Sequence, residues 1–251
     1  MRYLILAALL LSVPAHAAPE WLSIAFEDGR YSDAASEAEA AQTADSLAFA
    51  ARCKLAEAMS NPDFEPPEAL ILEAEALARR ALEMEPSHIE GRLQLAIALS
   101  LRARPLSTRQ AMRSGFGDEA KALVEAVLED DPDNFYAHGF MAIWHIEVVR
   151  RGGSVGSAVM GASVRKGRRH YQAALAINSE DASTHWQYAR ALAALNAKKY
   201  RAEIDVALMS AVKVEAPTAL DRVMQRRAHD LSLAITAQSR REVEALAERM
   251  L

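Results

Sequence analysis

Two histidines seven positions apart, His138 and His145, are the nearest this chain comes to a metal-ligand pattern. Both could share one helical face, but no third ligand is spaced to complete the set a metal needs. They read as structural side chains, and neither metal nor cofactor is expected. Gly156 and Gly161 have the glycine spacing of a phosphate loop, yet Ala162-Ser163 stands where Lys-Ser/Thr is required and no strand precedes it. Asp130-Asp131-Pro132-Asp133-Asn134 lacks the Gly and terminal Glu of a calcium loop and reads as a helix stop followed by a cap. Cys53 is the sole cysteine, so no internal disulfide can form. It lies in the apolar run from Phe49 to Met59 and reads as a small packed hydrophobe. An enzyme is therefore not expected.

Charge is the stronger pattern. Basic residues gather in three clusters: Arg102, Arg104, Arg109 and Arg113; then Arg150, Arg151, Arg165, Lys166, Arg168 and Arg169; then Lys198, Lys199 and Arg201. Acids gather between them, at Glu83 and Glu85, at Glu129 to Asp133, and at Glu180 and Asp181. Compensation of helix dipoles accounts for bases at one set of helix ends and acids at the next set of starts, at about 0.3–1 kcal/mol each. It leaves the acids at the other helix ends unexplained. A basic edge with a Gly-rich stretch at 152–163 could meet an anionic partner: an acidic protein, a phospholipid surface or a cell-wall polymer. With a formal net charge of −5, nonspecific binding of nucleic acid is disfavoured.

The elements that would carry these residues are helices. Apolar residues make up 51% of 251 positions, helix formers dominate, and no stretch alternates long enough to argue for a sheet. The class is all-α. Three stretches share one grammar: Ala74, Ala81, Pro86; then Ala120, Val127, Pro132; then Gly167, Ala174, Ser179. Another small residue follows ten positions beyond each closing residue, at Ala96, Ala142 and Ala189. Small residues there let two helices approach closely, and a proline stops the second helix where the chain turns. A single pair leaves an apolar face bare, so neighbours must stack. Ser87-His88-Ile89-Glu90 reads as a capping box, Ser179 as a cap, and Thr218 with Asp221 as another box. Residues 104–117 and 150–163 read as long turns.

This arrangement resembles the tetratricopeptide repeat (TPR). The pairs Leu55-Ala56, Leu95-Ala96, Met141-Ala142 and Tyr188-Ala189 match its helix A, while Gly167, Tyr171 and Ala174 match its helix B. Phe26 to Ala34 carries its Gly-x-Tyr-x-x-Ala turn. The likeness runs from Pro19 to about Ala216. Arg92, His138 and His185 stand where the family has Trp near the start of helix A, and closing residues at 86, 132 and 179 give periods of 46 and 47 against about 34. The extra length falls at the A-to-B turns, all on one edge. The resemblance implies a TPR-like α-solenoid of stacked antiparallel helical hairpins.

Ahead of it, Met1-Arg2 is a short basic segment, Tyr3 to Val13 an apolar run of eleven, and Ala15-His16-Ala17 a signal-peptidase site. Eleven apolar residues are too few to span ~30 Å of hydrocarbon. The domain plan is a leader at 1–17 and one solenoid domain at 18–251, with polar capping helices over 219–251; the mature chain is exported, periplasmic and without a lipidation cysteine.

By the TPR resemblance the groove-facing places are Glu90, Leu93, Ile97, Tyr136, Ile143, Ser183, Trp186 and Arg190, and the implied function is an adaptor holding a peptide or protein in the helix-A groove. The alternative is a solute-binding auxiliary subunit of a transport system. Long inserted turns and Arg-Ser-Gly-Phe at 113–116 loosely resemble periplasmic TPR subunits associated with substrate uptake and the regulator of microtubule dynamics family. A peptide groove requires an open face, whereas a solute site requires a pocket with a few inward polar groups.

Overall fold

The computed structural model describes residues 20–250, with side chains from Ser23 onward. The expected leader and its cleavage point after Ala17 lie outside the described residues, as does Leu251. Among the described residues there are thirteen helices and no strand. In chain order they are α1 (Glu20–Glu27), α2 (Tyr31–Ala40), α3 (Ala44–Met59), α4 (Glu68–Met84), α5 (Ile89–Ala103), α6 (Thr108–Ser114), α7 (Phe116–Asp130), α8 (Phe135–Met160), α9 (Val164–Ile177), α10 (Ala182–Asn196), α11 (Arg201–Lys213), α12 (Ala219–Ala237) and α13 (Arg240–Arg249). None is long and apolar enough to cross a membrane.

The most extensive contacts join α3 with α4, α5 with α7, α8 with α9 and α10 with α11. Further contacts join α3 to α5 and α8 to α10. The small residues lie at these contacts: Ala74, Ala81, Ala96, Ala120, Ala142, Ala174 and Ala189 are wholly buried. At Gly167 the approach is so close that a Cβ would lie 2.8 Å from the Ala142 carbonyl oxygen.

One hydrogen bond recurs with the repeat. Arg92 Nε donates to the Pro86 carbonyl at 3.0 Å, His138 Nε2 to that of Pro132 at 3.0 Å, and His185 Nε2 to that of Ser179 at 3.0 Å. One arginine and two histidines, each six residues after its acceptor, thus tie the start of a helix to the closing residue before it.

Several local expectations are corrected. The N-cap of α5 is His88, whose Nδ1 accepts from Gly91 N at 3.0 Å, and not Ser87. Asp181 caps α10 in place of Ser179, accepting from Thr184 N at 2.6 Å. Thr218 and Asp221 do form a capping box. The stretch 104–117 contains α6, whose capping box is Ser107 with Gln110, and Gly115 at φ 72° turns the chain into α7. The stretch 150–163 is mostly helix: α8 runs on to Met160, bent at Gly153, whose φ of 58° and ψ of −154° only glycine adopts without strain.

The C-terminal helices do more than close the end of the array. In α12, Met224, Ala228 and Leu231 are wholly buried, and the helix packs on α10 and α11 while its N-terminus reaches α1. There Gly29, at φ 84°, admits Ala219; a Cβ on Gly29 would lie 2.8 Å from the Ala219 Cβ. Arg227 donates to the carbonyls of Met59 at 2.7 Å and Asn61 at 2.8 Å, satisfying acceptors at the C-terminal end of α3. Arg104 at the end of α5 donates to the carbonyls of Glu248 at 2.8 Å and Arg249 at 3.1 Å, doing the same for α13. The apolar interior forms two clusters, and Met59 and Leu220 pack against both or bridge toward them.

Candidate functional site

The eight groove places do not form one open surface. Trp186 is wholly buried and Arg190 is 4% exposed. Arg190 Nη1 donates to the Ala247 carbonyl at 3.4 Å, and Nη2 to Glu147 at 2.9 Å, so α13 of the same chain sits where an incoming peptide would meet it. Leu93 is buried in the first apolar cluster, Ile97 packs against it, and Ile143 packs against the second. Ser183 is half-buried at the start of α10. The expectation of exposed anchors at Trp186 and Arg190 is thereby corrected: Trp186 belongs to the second apolar cluster, and Arg190 is bonded to α8 and α13.

What stays open lies on α3, α5 and α8. Tyr136 is 53% exposed. The Arg52 guanidinium stands 5.7 Å from its ring centroid and 5.0 Å from that of Phe26, and pairs with Glu90 at 3.7 Å. Gln94 Nε2 donates to the same Glu90 oxygen, at 3.0 Å. Arg52, on α3, was not among the groove places read from sequence.

The basic edge divides in two. Arg150 bonds Glu147 at 2.8 Å and Glu248 at 2.6 Å, Arg168 grips Glu203 with two bonds at 2.9 and 2.6 Å, and Arg151 donates to the carbonyls of Ala103 and Leu106. These three are internal clamps and not free cations, a correction to the edge as read from sequence. Burial works against the charge of Glu147, but Arg190 and Arg150 outweigh it and hold its carboxyl down at about 2. Arg109, Arg113, Arg165 and Arg169 are exposed, and Lys166 Nζ bonds only the Gly161 carbonyl, at 2.7 Å.

A cleft of about 580 Å³ opens between α7, α8 and α9, lined by residues that include Lys121, His145, Met160, Arg169 and His170. Here the two histidines noticed in the sequence acquire a third. His170 on α9 sits between them, its Nδ1 2.9 Å from His138 Nδ1 and its ring centroid 5.6 Å from that of His145. In its neutral form His138 donates Nε2–H to Pro132, so its Nδ1 accepts and His170 Nδ1–H donates. Burial, reinforced by His170 and the nearby lysines, pushes His145 down to about 4; burial and His138 push His170 down to about 4. Both rings are neutral near pH 7. His145 is 3% exposed and its Nδ1 has no hydrogen-bond partner among the described residues. No group of three or more His, Cys, Asp or Glu among the described residues is placed to hold a metal ion. No protein-family model matches the chain, and no curated protein matches it.

Proposed function

We propose that the chain is an exported, non-enzymatic TPR-like α-solenoid adaptor of the bacterial cell envelope that holds a peptide or protein partner on the first helices of its pairs. The observation that carries it is the open Arg52–Tyr136–Glu90 patch, to which three first helices, α3, α5 and α8, each contribute one side chain. Tyr and Arg are the residue types enriched among interface anchors. The neighbouring part of the same face already holds a helix, since Arg104 and Arg190 bond the backbone of α13. The recurring bond from Arg92, His138 and His185 to their closing residues supports the repeat.

A photo-crosslinking residue at Tyr136, introduced in the native envelope, tests this against the same residue at Val206, which is exposed on α11. A discrete adduct at 136 alone, lost on Arg52→Glu, is expected. Equal labelling at both places, or an adduct indifferent to Arg52, would end the reading. The cleft favours a second reading, the solute-binding auxiliary subunit, because it combines ligand-sized volume with a few inward polar groups.

A further inference from the structure

The cleft between α7, α8 and α9 shares no residue with the Arg52–Tyr136–Glu90 patch. Its volume of about 580 Å³ lies within the range of small-molecule sites, and far exceeds what one inorganic anion fills. Its charges are uneven. Lys121, Lys166 and Arg169 face Glu125 and Glu129, one positive charge in surplus. Lys121 is taken up by Glu125 at 3.1 Å, but Lys166 meets only a carbonyl, and Arg169 is exposed with no ion pair among the described residues. Lys166 and Arg169 stand three apart on α9 and so share one helical face.

The rest of the lining has two characters. Leu128, Met141 and Met160 give an apolar wall, and the unbranched thioethers adapt to irregular shapes. Against it lies His145, nearly inaccessible, with an unpartnered ring nitrogen. That nitrogen is itself shielded from solvent, so it is no ligand contact; what His145 gives the cleft is a neutral ring at its lining. A cationic ligand is opposed by the charge surplus, and a purely apolar one would leave the cations unanswered.

We propose that this cleft binds a small amphiphilic organic anion, its acidic group between Lys166 and Arg169 and its apolar body against Met141, Met160 and Leu128. The site holds whether or not the Tyr136 patch takes a protein partner, and its test reads a different surface.

Calorimetric titration of the mature chain with 1-naphthoate, and in parallel with the uncharged 1-naphthamide, tests it. Naphthoate is expected to saturate one site and naphthamide to bind at least about tenfold more weakly, since the cations recognise only the charged form. Arg169→Glu, an exposed substitution that leaves the core alone, should weaken naphthoate by about tenfold or more, while Lys213→Glu on α11 leaves it unchanged. Imidazole ¹⁵N signals of His145 should move on addition of naphthoate. Absence of saturable naphthoate binding, equal affinity for the amide, indifference to Arg169→Glu, or an unmoved His145 would each overturn the proposal.

Discussion

Lowering the pH from 7.5 to 5 should destabilise this protein through His145. The folded chain holds that imidazole at about 4, because burial penalises its charged form and His170, Lys166 and Lys121 oppose it further. In the unfolded chain the same ring titrates near its ordinary 6.5. Between these values the unfolded state binds the proton and the folded state does not, so stability is full above about 6.5 and falls as the pH drops. At pH 5 linkage makes the loss about 2 kcal/mol for His145 alone, with a smaller further loss from the more accessible His170. Glu147, held at about 2, acts in the same direction but only below the ordinary carboxylate range, whereas burial raises the Asp181 carboxyl and acts the opposite way, so the His145→Gln comparison is what isolates the histidine. Urea unfolding followed by circular dichroism at both pH values measures the loss, and His145→Gln, which cannot titrate, should lose about 2 kcal/mol less over the same interval. A variant with the wild-type pH slope, or a wild type equally stable at both values, would refute the assignment of a neutral buried ring.

Gly167→Ala should lower the melting temperature and cost about 1–3 kcal/mol, because its Cβ would lie 2.8 Å from the Ala142 carbonyl oxygen and 3.2 Å from Ile146 Cγ1; the helix-propensity gain of about 1 kcal/mol cannot offset it. Glu147→Ala should cost about 3 kcal/mol or more in urea unfolding, since it strands the buried Arg190 that it meets at 2.9 Å. Cys53, wholly buried and with its thiol pushed up to about 12 by burial, should not react with Ellman's reagent at pH 8 in the folded protein and should yield one equivalent in denaturant. N-terminal sequencing of envelope material should begin at Ala18; an intact Met1 would contradict export.

The all-helical class and the packed pairs were legible because their signals are local. Small residues recur at set distances within a pair, and Arg92, His138 and His185, whose types differ, still make the same bond to the residue six before each. The two long turns were misread for an equally local reason. Gly152 and Gly153 lower helix propensity, and the chain leaves helical geometry at Gly153, yet helix resumes beyond it as far as Met160.

The filling of the groove was not legible, and the reason is physical. The amphipathic stripe of α12 states that Met224, Ala228 and Leu231 require burial, but periodicity says nothing of which surface will cover them. The answer is set by contacts such as that of Arg227 with the Met59 carbonyl, 168 residues away in the chain. An arginine in an otherwise polar stretch reads as a surface charge. Its actual partners are backbone carbonyls, which carry no sequence signature because every residue has one. The same holds for Arg104 and Arg190, whose carbonyl acceptors at 247–250 turn a seeming cap into a helix docked against α5 and α10. The histidine cluster failed to show for a related reason: spacing along α8 could relate His138 to His145, whereas His170 joins them only through the packing of α9, which the close approach at Gly167 permits. A helix-repeat sequence therefore declares its pair contacts and conceals its occupants, and the open surfaces left after its own termini have settled are where ligands are to be sought.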